Sequence, residues 1–235
     1  MLPRRMSPMP VLLALAVVAS IALPAVAAGG SDTAPAAFVA APGCPVAPSE
    51  TARPTGTGQP PSVDYPVCAD HRQRLVAALV RASQRNRLVL VEFGATWCSS
   101  CKSLRRQLDA AGILGRQVGA LRLADTFDVV SIPVSMLHGG RRVSVPSGET
   151  VLTDLLARAP GVSLRAVPFL VVIDPSRPDR VWARNIDDVE STSAGRHDPE
   201  KVAALLAEAH GYLRASGPRP AEPGWLMRKV RRWLN

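Results

Sequence analysis

Residues 88–102 read Leu88-Val89-Leu90-Val91-Glu92-Phe93-Gly94-Ala95-Thr96-Trp97-Cys98-Ser99-Ser100-Cys101-Lys102. Leu88 to Val91 is an unbroken apolar run with two β-branched residues, which predicts a short strand buried on both faces. Gly94 and Ala95 end it. From Cys101 the spacing turns helical, with Leu104 and Leu108 following at i+3 and i+7. The two cysteines therefore fall at a strand-to-helix junction, with Cys98 at or beside the helix start.

That position carries chemistry. The first turn of a helix has unpaired N–H groups and the positive end of the helix dipole. Both favour thiolate over thiol, so Cys98 is expected to be a nucleophile near neutral pH. Cys101 lies one turn on, close enough to resolve a mixed disulfide by intramolecular attack. A Cys-x-x-Cys alone is a weak signal. A buried strand and a Trp before it, and a helix after it, make it a strong one.

The chain here resembles the thioredoxin superfamily. The matching residues are Val91-Glu92-Phe93, Ala95, Trp97-Cys98-x-x-Cys101-Lys102, and Val167-Pro168 leading into Phe169–Ile173. The resemblance runs from about Val67 to Ala215 and is to thioredoxin-like proteins of the bacterial cell envelope. It implies an α/β fold, a mixed sheet flanked by helices, and dithiol–disulfide exchange with no cofactor beyond the cysteine pair. Ser99-Ser100 departs from the Gly-Pro of thioredoxin itself, so the redox potential does not carry over.

The resemblance also implies roles for other residues. Glu92 occupies the place of the buried acid behind the cysteine pair, where it could take the proton of Cys101; its parity within the strand could instead turn it to solvent. Pro168 matches the cis-proline beside the disulfide, with the Val167 backbone offered to an extended substrate. Ile132-Pro133 is the rival, but Asp125 and Pro133 leave no room for a crossover helix between them. Trp97 shields the site and offers apolar contact to substrate. Lys102 either helps hold the thiolate or is simply solvated.

Residues 1–27 read as a signal peptide, with Arg4 and Arg5 before the apolar stretch Val11 to Leu23, and Ala25-Val26-Ala27 as the cleavage site. An uncleaved anchor is the other reading. Without this segment the formal charge falls from +9 to +7, 26 basic minus 19 acidic residues. A basic excess suggests nucleic acid, but export and the lack of a Lys/Arg stripe with interleaved aromatics argue against it. An anionic membrane or envelope polymer fits better. The expected location is the periplasm or cell envelope, where disulfides persist.

Cys44 and Cys68 complete the cysteine count. They could form a structural disulfide that contributes ~3 kcal/mol, a second redox pair, or part of a metal site. Their separation is unlike the close-spaced pairs zinc uses. His71, His138, His197 and His210 have no mutual spacing that suggests metal and read as ordinary surface or loop residues.

The chain divides into the signal peptide 1–27, a Pro/Ala-rich linker or arm 28–66, a domain 67–215, and a tail 216–235. Within the domain, Asp70 is expected to cap a helix carrying Leu75, Leu79 and Ser83. Gly119 to Asp125 is expected to be the second parallel strand. Phe127 to Glu149 then reads as an insertion before the Pro168 strand, containing a hairpin from Val134–Leu137 and Val143–Val145. Thr150 to Ala159 reads as a helix, Arg180 to Asn185 as a returning strand, and Asp198-Pro199 as the start of the last helix. In the tail, Leu226, Val230, Trp233 and Leu234 share a helical face, with Arg228, Lys229, Arg231 and Arg232 around it. That is the composition of a short helix lying on an anionic membrane.

The functional expectation is an exported thiol–disulfide oxidoreductase acting on protein or small-molecule disulfides, more as a reductase or isomerase than as an oxidant. Such an enzyme needs a membrane thiol carrier as electron donor. The alternative is a thioredoxin-like module that binds a partner or delivers a metal, its disulfide structural. Copper carriers of this superfamily usually place a ligand histidine in the matching region, and none stands near Pro168.

Overall fold

The computed structural model describes residues 40–44, 65–109, 111–186 and 197–215. The expected signal peptide, most of the 28–66 arm and the tail 216–235 lie outside them. In chain order the elements are α1 (His71–Gln84), β1 (Leu88–Ala95), α2 (Ser99–Gln107), β2 (Gln117–Val118), β3 (Leu121–Arg122) and α3 (Leu123–Thr126). They continue with β4 (Phe127–His138), β5 (Arg141–Ser144), α4 (Pro146–Leu156), β6 (Phe169–Ile173), β7 (Val181–Asn185) and α5 (Pro199–Arg214).

Every residue of β1 is buried, as its apolar run requires. It forms the centre of a five-stranded sheet in the order β5-β4-β1-β6-β7. β4 runs parallel to β1, and β6 runs antiparallel to it. β5 and β7 extend the sheet antiparallel to β4 and β6. The period of two divides β1 between two cores. Val89, Val91 and Phe93 face α1 and α4, packing on Leu75, Leu79, Val151 and Leu155. Leu88 and Leu90 face α2 and α5, packing on Leu104, Leu206 and Leu213.

The helices start where their caps say. Asp70 accepts the Gln73 N–H at 3.0 Å before α1. Asp198 accepts from the Glu200 and Lys201 amides, and Pro199 takes the first position of α5, where its missing N–H costs nothing. α4 begins four residues earlier than expected, at Pro146, for the same reason. Gly148 lets its first turn settle on β4: a Cβ there would stand 1.9 Å from the Pro133 carbonyl oxygen.

The second parallel strand is not where the sequence places it. Residues 117–122 form a two-stranded hairpin, and Leu123–Thr126 a single helical turn. The strand paired with β1 is Phe127–His138, so the stretch read as the start of an insertion is structural core. Pro133 concealed it. Proline is confined to sheet edges and bulges, and β4 meets both conditions locally. β5 pairs with β4 only from Ser135 to His138, leaving Pro133 at an open edge, and the β1 register shifts between Gly94 and Ala95. The expected hairpin is present around Gly139 and Gly140, both at positive φ, but it extends a central strand.

Candidate active site

The C-terminal ends of the parallel strands β1 and β4 deliver the chain to one end of the sheet. There Cys98 and Cys101 are joined in a disulfide. Cys98 is the N-cap of α2, and its Sγ accepts the Cys101 amide at 3.1 Å. The sulfur thus fills the role usually played by a capping oxygen, and in the reduced protein the same N–H would stabilise a thiolate. The Ser100 hydroxyl lies 3.3 Å from it. Cys98 keeps 6% exposure whereas Cys101 has none. Any incoming disulfide therefore meets Cys98 first.

Val167-Pro168 crosses beside this pair with a cis peptide bond. The Val167 carbonyl oxygen lies 3.6 Å from Cys98 Sγ. The fold is thioredoxin-like. The strand order, a cysteine pair at the start of α2, and a cis-proline entering β6 beside it occur together. No protein-family model matches the chain, and no curated protein matches it. A solved structure, that of a disulphide isomerase from Xylella fastidiosa Temecula1, is similar at 21% identity and a TM-score of 0.36, over 60% of this chain and 91% of that one.

The β4–β5 hairpin supports the active-site loop. The Thr96 amide donates to the Ser135 carbonyl at 3.1 Å, and the Leu137 amide to Thr96 Oγ1 at 3.1 Å. The Arg142 guanidinium stacks over the Trp97 ring, 3.8 Å from its centroid. Trp97, Val167 and Val67 pack on a small cluster of Tyr65, Ala95, Cys98 and Cys101.

Glu92 shares the parity of Leu88 and Leu90, so it points to the α2 face of the sheet and not to solvent. It is fully buried. Burial pushes its pKa up to about 7, although the Tyr65 hydroxyl, the neighbouring Ser131 side chain and the charge of Arg105 pull the other way. Its Oε1 accepts from the Tyr65 hydroxyl at 2.5 Å. Its Oε2 has no hydrogen-bond partner among the described residues. A carboxyl with a pKa near 7 is suited to exchanging a proton at neutral pH.

Cys44 and Cys68 are bonded to each other. They lie outside the cluster around Cys98 and Cys101, but Cys68 is only three residues past Tyr65. Tyr65 itself falls in the stretch read as linker, yet it is 4% exposed and belongs to the core of the site. The available signal was that this Pro/Ala-rich run holds one of the chain's two tyrosines, Phe38 being its other aromatic. Ser135 and Arg142 were equally hidden, because their roles depend on the β4 register. The histidines also differ from expectation. His71 and His197 are buried, and both nitrogens of His71 lack a hydrogen-bond partner among the described residues.

Proposed function

We propose that the protein is a thiol–disulfide oxidoreductase, exported to the periplasm or cell envelope, with Cys98 as nucleophile and Cys101 as resolving thiol. The observation that carries this reading is the pair's asymmetry: Cys98 caps α2 and keeps slight exposure, and Cys101 lies wholly inside.

In the reducing direction, the Cys98 thiolate attacks one sulfur of a substrate disulfide and expels the other as a thiolate. Cys101 gives its proton to Glu92 and attacks Cys98 Sγ. The Cys98–Cys101 bond re-forms, and the second substrate sulfur leaves as a thiolate. Two electrons pass to the substrate, whose thiolates take up two protons. The Val167 carbonyl beside Cys98 supports backbone pairing with an extended peptide, and Trp97 supports apolar contact with it. Reductase or isomerase duty is the favoured direction, on protein or small-molecule disulfides, with a membrane thiol carrier restoring the dithiol. The tail 216–235 would hold the domain at an anionic membrane near that carrier.

Trapping tests the assignment. Cys101→Ser is expected to accumulate mixed disulfides, and Cys98→Ser to form none. Full multiple-turnover exchange by Cys101→Ser would overturn it. Equilibration of the pair with a glutathione buffer fixes the direction: a potential near that of thioredoxin supports reduction, and a strongly oxidising one supports disulfide donation.

A further inference from the structure

Glu92 has a lid. Tyr65 is buried and closes one side of the carboxyl, its hydroxyl donating to Glu92 Oε1 at 2.5 Å. The hydroxyl fits because residue 94 is glycine: a Cβ there would stand 1.9 Å from Tyr65 Oη and 2.7 Å from Glu92 Oε1. The Arg105 guanidinium of α2 sits 5.0 Å from the ring centroid.

Tyr65 belongs to no helix or strand. A turn holds it, in which the Val67 amide donates to the Tyr65 carbonyl at 2.8 Å and the Ala69 amide to the Pro66 carbonyl at 3.1 Å. Cys68 lies within that turn and is bonded to Cys44. The Cys44 segment packs in turn on the β4–β5 turn: Ala41 is buried, and a Cβ at Gly43 would meet the His138 ring at 3.3 Å. The second disulfide therefore joins the turn carrying Tyr65 to a segment that lies against His138 at the end of β4.

We propose that Tyr65 is the positioning residue of Glu92, shielding it from water and donating to its carboxylate, and that the Cys44–Cys68 disulfide latches it there. Its bearing on exchange rests on Glu92 being the proton acceptor for Cys101. The shield and the donor act in opposite directions. Excluding water favours the neutral acid, and a donated hydrogen bond favours the carboxylate. The other groups facing Glu92 are Ser131 of β4, Arg105 of α2 and the apolar Leu170 of β6. In the oxidised protein Cys98 and Cys101 are bonded and do not titrate.

The two effects separate by substitution. Tyr65→Phe keeps the shield and loses the donor, so the Glu92 pKa should rise by about one to two units. Tyr65→Ala removes the shield, and the paired Cys44→Ser, Cys68→Ser variant releases it. Both should move the pKa down towards the ordinary carboxylate range. The measurement is a carbon-13 NMR titration of the Glu92 carboxyl in the oxidised, full-length chain. An unmoved pKa in Tyr65→Phe, or a shift of the same sign in Phe and Ala variants, overturns the proposal. Should Tyr65→Ala fail to fold, the Phe variant and the double serine variant decide it. The pH midpoint of mixed-disulfide release gives a second readout. If the pKa values move as expected and the release rate does not follow, the Tyr65 proposal stands and the role of Glu92 as proton acceptor falls.

Discussion

Trp97 donates its indole N–H to Ser135 Oγ at 3.1 Å, and that hydroxyl donates to the Val143 carbonyl at 3.0 Å. One side chain thus ties the residue before Cys98 to both strands of the β4–β5 hairpin. Ser135→Ala would leave the indole N–H unpaired in a half-buried position, at a cost of about 1–2 kcal/mol. If Trp97 contacts substrate, formation of the mixed disulfide should slow severalfold while its release stays unchanged. Stopped-flow kinetics of the two steps checks this, and a parental formation rate would remove Trp97 from the substrate surface.

Glu92 should make the oxidised protein less stable as pH rises. Its folded pKa of about 7 lies above the ordinary value of 4.5. Between those values the unfolded chain releases a proton that the folded chain keeps, so stability present below about pH 4.5 is lost as pH rises through about 7. The full loss is about 3 kcal/mol. Glu92→Gln should abolish it. Denaturant unfolding at pH 4.5 and pH 8 should show the variant gaining on the parent only at the higher pH; an equal difference at both would contradict the buried-acid description.

His71 predicts the opposite slope. Burial, followed by the charge of Arg74, pushes its pKa from 6.5 down to about 3. Its stabilising contribution is intact above pH 6.5 and disappears as pH falls towards 3, by about 5 kcal/mol in all. His71→Leu should flatten this acid limb. Thermal melts at pH 7 and pH 4 are the check, and parallel losses in parent and variant would place the acid sensitivity elsewhere.

The tail is tested by sedimentation of the protein lacking residues 1–27 with vesicles rich in anionic lipid, with and without residues 217–235. The full chain should sediment with them at low salt, and less as salt rises. Binding that survives truncation, or no binding at low salt, would end the membrane reading.

Local chemistry made half of the site legible in the sequence. Leu88–Val91 could only be a buried strand, and the Trp97-Cys98-x-x-Cys101 junction had a single sensible placement. Asp70 and Asp198-Pro199 marked helix starts through contacts within one turn. β4 was not legible, because Pro133 tells against a strand unless the pairing on both sides is known. Its partner β5 stops at Ser144, opposite Ser135, and no local pattern records that. Tyr65 was lost for a similar reason. Its partner Glu92 is 27 residues away, and the vacancy that admits its hydroxyl is the missing side chain of Gly94.

The sulfur that caps α2 is also the atom proposed to react. Most helix caps are inert, but here each chemical state of Cys98 changes the acceptor offered to the Cys101 amide at 3.1 Å. Thiolate, mixed disulfide and closed disulfide offer that N–H acceptors of different charge. The deuterium exchange rate of one backbone amide therefore becomes a gauge of the catalytic cycle, readable without any reporter on the substrate.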